Sequence, residues 1–308
     1  MPTGQALKDK KALIFALIAV GMWSTVATAF KIALQYLQPA QLLLWAAIFS
    51  IVVLSTVISV QGKWSELGHL SAKEWGASIV YGALNPALYY MVLFAAYDLL
   101  PAQEAQALNY SWALTLAFLS VPFLGQKLRL QDLFAGLVCY GGVLVIATRG
   151  DVLGLEFSNL PGVGLALFST LIWAGYWILN TKDKREPIIG LMLNFVMALP
   201  ILLLINAYLG LLVLPDLKGI AAAAYVGVFE MGLAFVCWLS AMRLTSQTAK
   251  ISNLIFLSPF ISLILIYFLL GETIYPSTLI GLGFIIGGLL IQQHKSAAQK
   301  AALKEINS

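Results

Sequence analysis

Ten apolar stretches, each about 20 residues long, take up almost all of this 308-residue chain. They lie at approximately 12–31, 40–60, 75–97, 101–123, 130–148, 161–180, 187–209, 219–242, 246–270 and 276–293. A helix needs roughly 20 apolar residues to cross a hydrocarbon layer about 30 Å thick, and backbone polar groups inside that layer must be paired within the protein. Long unbroken runs therefore predict helices; a membrane barrel would show alternating segments of about ten residues instead. With 60% hydrophobic and 10% charged residues, against about 45–50% and 25% in soluble domains, the expected class is an all-α membrane protein. The longest loop, near 61–74, leaves no room for a soluble domain.

The placement of charge sets the orientation. With a cytoplasmic N-terminus, the inner segments carry Lys8, Lys10, Lys11, Lys63, Lys73, Lys127, Arg129, Lys182, Lys184, Arg185, Arg243, Lys250, Lys295, Lys300 and Lys304, whereas the outer ones carry Lys31, Arg149 and Lys218. That bias follows the positive-inside rule. It predicts a multi-pass protein of the cell's inner (cytoplasmic) membrane with both termini cytoplasmic. A basic start, an apolar run and the small residues Ala27, Thr28 and Ala29 also fit a signal peptide, but cleavage there would leave nine helices and upset the charge bias. Cys139 and Cys237 both fall inside spans and imply no disulfide framework.

Helices 3 to 5 repeat as helices 8 to 10. The segment LLPAQEAQALNY at 99–110 lies over RLTSQTAKISNL at 243–254, pairing Gln103 with Gln247 and Asn109 with Asn253 at an offset of 144. LGQKL at 124–128 lies over LGETI at 270–274, and Gly141-Gly142 over Gly287-Gly288, at an offset of 146. Tyr81 pairs with Tyr225, and Trp23 approximately with Trp173. Each half has an odd number of helices, so the second half enters the membrane upside down. Inverted-topology repeats recur in secondary transporters because two similar halves can exchange conformations. The domain reading is a cytoplasmic tail (1–11), a first five-helix repeat (12–148), an external linker (149–160), a second repeat (161–293) and a cytoplasmic tail (294–308).

The stretch from Tyr225 to Ile291 resembles the EamA branch of the drug/metabolite transporter superfamily: a helix ending in Arg243, a turn with Thr245 and Ser246, a helix broken by Pro259, the Gly271-Glu272 pair and a glycine-rich last helix. The first half is similar more weakly, since no proline matches Pro259 and Gln126 stands where the second half has Glu272. This resemblance implies a ten-helix carrier with a central cavity lined by both halves. Substrates in that superfamily range from amino acids and nucleosides to sugar phosphates and organic cations.

An ionisable group at mid-membrane costs about 2.5–3.5 kcal/mol on insertion scales and marks a functional candidate. Glu230, twelve residues into helix 8, is the clearest one, either a proton or cation site or a member of a structural hydrogen-bond network. Gly227 and Ala234 on its face leave room for a cavity or a close neighbour. Asn85 sits at matching depth in helix 3 beside Pro86, which should kink the helix. Lys250 either reaches the cytoplasmic interface or turns toward Glu230. Asn109 and Asn253, about two turns into helices 4 and 9, are substrate contacts, gates or helix–helix bonds. Trp23, Tyr89, Trp173 and Trp177 lie deep enough to line a cavity suited to flat, apolar or cationic solutes, although interfacial belts and packing also use such residues. Gly283 and Gly287 present a small face in helix 10, suited to internal packing or to a dimer contact, the internal role being the expected one.

His69 and His294 fall outside the spans, and the sequence has no metalloprotease, nucleophile-elbow or phosphate-loop motif. No enzymatic activity, cofactor, metal or nucleic acid is expected. The leading expectation is a secondary transporter of a small metabolite, amino-acid-like or another small organic solute, exporting by alternating access, with protons as the candidate coupling ion through Glu230. The alternatives are uptake or exchange of an organic cation, and a non-transporting membrane scaffold. Its partners would be the small-molecule substrate and the lipid bilayer, with the chain a monomer or homodimer.

Overall fold

The computed structural model describes residues 4–125, 130–154, 157–246, 251 and 253–293, and every regular element among them is helical. We number the principal helices α1 (Gly4–Leu34), α2 (Pro39–Val60), α3 (Ala72–Leu99), α4 (Ala102–Leu124), α5 (Leu130–Ala147), α6 (Leu160–Asn180), α7 (Pro187–Tyr208), α8 (Leu217–Leu244), α9 (Leu254–Leu270) and α10 (Pro276–Gln293). The first eight hold a stretch long and apolar enough to cross a membrane, and α9 and α10 are shorter apolar helices. This is the ten-helix, two-half membrane fold expected. Helix α1 starts before its apolar run, carrying Lys8, Asp9, Lys10 and Lys11 on its first turns. Gln126, Lys127, Arg129, Gln247, Lys250, His294, Lys295, Lys300 and Lys304 lie outside the described residues.

Helix starts follow from local chemistry. Pro39 and Pro187 stand at first positions, where a missing N–H costs nothing. Asn159 Oδ1 accepts from the Gly162 amide at 2.9 Å, Asp216 Oδ1 from Gly219 at 2.7 Å, and Ser71 with Glu74 forms a reciprocal cap on α3.

Two helices are distorted at repeat-equivalent places. In α3 the stretch Ala83–Leu88 widens to π geometry, and Asn85 leaves the helical region altogether (φ −141°, ψ 111°) just before Pro86. In α8 the stretch Val226–Leu233 is π-helical without any proline. Helix α4 is also interrupted, running as Ala102–Asn109 and then Trp112–Leu124.

The two halves interleave. Helix α1 packs on the last part of α8 and on α9, while α6 packs on the last part of α3 and on α4. Helix α2 packs on the middle of α8, and α7 on the first part and middle of α3. The repeat-equivalent pairs α2–α7 and α5–α10 pack on each other. Close approach depends on glycine at matching points: a Cβ on Gly82 would lie 2.3 Å from the Asn194 carbonyl oxygen of α7, and one on Gly227 2.3 Å from the Ala46 carbonyl oxygen of α2.

One packing expectation is corrected. Gly283 and Gly287 have nothing within 4 Å of where a Cβ would stand; α5 is met instead by Gly281, against Gly142, and by Gly288, against Ala135. Residues seven apart share a helix face after two turns, so the packed stripe is 281/288 and the 283/287 face is open.

Candidate substrate cavity

A cavity of about 360 Å³ lies between the halves, lined by Trp23, Val26 and Phe30 of α1, Tyr89, Tyr90, Leu93 and Tyr97 of α3, Gln106, Asn109, Tyr110, Trp112, Ala113 and Leu116 of α4 and its break, Trp173 and Trp177 of α6, Glu230, Phe235, Trp238 and Met242 of α8, and Ile255 and Phe256 at the start of α9. Its size is at the lower end for small-molecule sites. Glu230 is the only acidic or basic side chain among the described residues of this lining.

The walls are aromatic. Tyr89 stacks on Trp173 (centroids 4.4 Å apart, planes 25° apart), Trp173 continues onto Tyr176 at 5.6 Å, and Trp112 lies parallel to Trp177 at 6.5 Å. Opposite them, Trp23 meets Trp238 at 5.4 Å and Phe235 at 5.5 Å. Glu230 sits within the π-helical stretch of α8, largely buried, on the same lining as Tyr90. Glu230 Oε2 and Trp177 Nε1 are buried without a hydrogen-bond partner among the described residues. Unpaired polar atoms of this kind are uncommon in native proteins and call for an explanation such as a ligand or solvent.

Burial is graded along the cavity. Phe30, Tyr90, Phe94 and Tyr97 are fully buried and form a plug toward the far end of the bundle, whereas Trp177, Phe235, Trp238 and Met242 are partly exposed toward the end that holds the start of α1. The far end is tied further by Lys31 Nζ, which donates to the carbonyls of Tyr97 (2.7 Å) and Leu100 (3.0 Å). Buried Glu104 pairs with Arg149 at 2.8 Å and accepts from Ser158. Glu272 joins the halves by accepting from the Ala102 amide at 2.9 Å at the start of α4, where a helix favours negative charge. Gln103 completes this seam, accepting from the Tyr275 amide and the Thr278 hydroxyl.

At the open end, Glu186 caps α7 through the Ile188 and Ile189 amides and pairs with both Lys63 and Arg243 at 3.0 Å. Burial pushes its carboxyl upward, but the Ile189 amide, Lys63 and Arg243 outweigh burial and hold it below its ordinary value. Arg185, almost fully buried, is clasped by Asp183, Asn194 and Ser78 and lies 5.0 Å above the Tyr81 ring.

Of the residues singled out in the sequence, Glu230, Trp23, Tyr89, Asn109, Trp173 and Trp177 come together on this lining. Asn109 also donates to Ser169 Oγ at 2.9 Å, so it serves a helix–helix bond as well. Asn85 is not on the lining: it is 1% exposed, and its Oδ1 has no hydrogen-bond partner among the described residues. Lys250 and the side chain of Asn253 lie outside the described residues. Tyr90, Trp112, Phe235 and Phe256 also stand on the lining, and nothing in either half of the sequence by itself singles them out. The repeat held part of the signal: at the offset of 144 Trp112 pairs with Phe256, whereas Tyr90 pairs with Ala234 and Phe235 with Met91.

The EamA-like transporter family model matches residues 10–148 and 160–292. The chain belongs to the EamA-like transporter family. This EamA-like chain is similar to an uncharacterized transporter, YvbV, of Bacillus subtilis (26% identical over 310 residues, 98% of each chain). It is also similar to the protein PecM of Dickeya dadantii (26% over 292 residues, 91% of each). Half of it is similar to the aromatic amino acid exporter YddG of Ancylobacter novellus (25% over 160 residues, 50% of this chain and 54% of that one). A solved crystal structure shares the fold with a TM-score of 0.66 at 19% identity, covering 92% of this chain and 96% of the other.

Proposed function

We propose that this membrane transporter exports a small organic solute with a flat aromatic or apolar body and a protonated nitrogen, amino-acid-like in size, in exchange for protons taken up at Glu230. The observation that carries the reading is a single buried carboxylate set in an aromatic wall between the two halves. A cationic nitrogen there gains the carboxylate and the faces of neighbouring rings, an attraction of about 0.5–2 kcal/mol per favourable ring contact. Proton and solute compete for one acceptor, so a carrier that changes sides only when that acceptor is occupied exchanges one for the other without a nucleotide.

The halves taken as moving units are residues 12–148 and 161–293, rocking about the cavity. With the charge bias placing the start of α1 in the cytoplasm, in the inner membrane with both termini inside, the cavity described is the inward-facing one, and the plug of Phe30, Tyr90, Phe94 and Tyr97 closes the outer side. Similarity of half the chain to an aromatic amino acid exporter agrees with the ring-lined wall. A second reading, uptake or exchange of an organic cation, is favoured by the charge of the lining, because Glu230 has no basic counterpart among its described residues.

Proteoliposomes with an imposed pH gradient test the proposal. Labelled aromatic amino acids and aromatic amines should accumulate on the acidic side in exchange for protons, with saturation. Saturable transport that ignores the gradient would remove the proton from the account.

A further inference from the structure

We propose that Gln106 is a specificity-determining residue: it takes the carboxylate of an aromatic α-amino acid that lies with its head toward the plug, its ammonium on Glu230 and its ring toward the open mouth. The assignment rests on the reading of Glu230 as the solute's site. Gln106 stands in the first segment of α4, Ala102–Asn109, on the cavity lining. It is 4% exposed, and its side-chain amide has no hydrogen-bond partner among the described residues. Nor is that amide among the enclosed unpaired atoms, which on this lining are Glu230 Oε2 and Trp177 Nε1. The amide is neither paired nor shut in, and the space it meets is the cavity. An amide kept in so buried a place without a partner is costly, and it has two N–H donors and a carbonyl acceptor to give to a solute.

The lining is divided along its length. The part toward the plug carries every hydroxyl, amide and carboxylate among its described residues: four tyrosines, Gln106, Asn109 and Glu230. The part toward the mouth is indole, phenyl and thioether, with Trp112, Trp177, Phe235, Trp238, Met242 and Phe256. A solute with a polar head and a ring matches that division in one orientation. Helices α4 and α8 both start at the plug end; Gln106 is the fifth residue of α4 and Glu230 the fourteenth of α8, so the amide lies further toward the plug than the carboxylate. A solute carboxylate meets no basic side chain on the described lining and must be held by neutral donors. Hydrogen bonds from such donors to an ionised acceptor are roughly twice as strong as neutral pairs. A simple aromatic amine has nothing to give Gln106, and a polar group left unpaired by the wrong solute is a strong source of discrimination.

Equilibrium binding to the full chain in nanodiscs tests this with phenylalanine and with phenethylamine, which has the same ring and nitrogen and no carboxylate. The parent should bind phenylalanine more tightly. Gln106→Met, similar in length and without the amide, should weaken phenylalanine about tenfold or more and phenethylamine by less than about twofold. Glu230→Gln should weaken both. Equal weakening of the two solutes by Gln106→Met, or of neither, overturns the role of Gln106 alone when Glu230→Gln still weakens both. Unchanged binding of both solutes to Glu230→Gln overturns the reading of Glu230 and the proposal with it. A parent that prefers phenethylamine, or binds neither solute, overturns the assignment of an aromatic amino acid. Should Gln106→Met not fold, Gln106→Glu keeps the shape, repels a carboxylate and must weaken phenylalanine alone; equal loss of both solutes there refutes the contact.

Discussion

Replacing Gly227 by alanine tests whether α2 and α8 meet as closely as described, three residues from the carboxylate on which the function rests. The added Cβ would lie 2.3 Å from the Ala46 carbonyl oxygen and 2.8 Å from Phe49 Cβ. An ordinary carbon–oxygen contact is about 3.3 Å, so the helices must part by about 1 Å. Overpacking of that kind costs about 1–3 kcal/mol, and parting also strains the 2.9 Å bond from Ser50 Oγ to the Gly227 carbonyl, which contributes about 0.5–1.5 kcal/mol. The better helix propensity of alanine returns about 1 kcal/mol. The expected net loss is therefore about 1–3 kcal/mol, read as a lower melting temperature with a thiol-reactive dye that reports exposure of buried Cys139. Gly283→Ala is the control: with nothing within 4 Å, it should be neutral or stabilising by up to about 1 kcal/mol. Equal melting of Gly227→Ala and the parent, or equal loss in both variants, would refute the packing argument.

In intact cells, Leu214→Cys between α7 and α8 should react with an impermeant thiol reagent and Lys182→Cys between α6 and α7 should be protected; the reverse pattern overturns the orientation. Because the folded Glu186 carboxyl is held below its ordinary value, its contribution to stability is complete above the ordinary carboxylate range near 4 and is lost as pH falls through the lowered value. Glu186→Gln should accordingly flatten the acid limb of melting temperature against pH, and an unchanged limb would show that this cluster is not coupled to folding. Arg149→Ala leaves the fully buried Glu104 with Ser158 as its remaining side-chain partner among the described residues and should cost about 1–3 kcal/mol. Adding Glu104→Gln should recover part of that loss in a double-mutant cycle, and strict additivity would mean the pair is not coupled.

What the sequence reveals and what it hides follow from where the information lies. The ten spans and the inverted halves are legible because apolar runs and paired residues such as Trp23 with Trp173 are properties of the chain itself. The distortion at Asn85 is legible through Pro86. The π-helical stretch around Glu230 has no such mark: VGVFEMGL reads as ordinary helix, and Gly227 and Gly232 reveal their purpose only when Ala46 and Val53 of α2 lie against them. The same holds for Gly283 and Gly287, whose spacing alone does not say which face of α10 meets α5. Tyr90 looks like one more buried aromatic until it is found on the same cavity lining as Glu230.

The central claim is that Glu230 exchanges protons for solute, and the most direct measurement compares Glu230→Gln with the parent in proteoliposomes, once under a pH gradient and once in solute counterflow without one. The parent should perform both. The variant, which cannot ionise, should lose gradient-driven accumulation and, because the same carboxylate holds the cationic nitrogen, most of its counterflow as well; full counterflow without accumulation would mean that the solute does not bind at the proton site. A variant that concentrates solute as well as the parent does would contradict the account and leave Glu230 a structural residue.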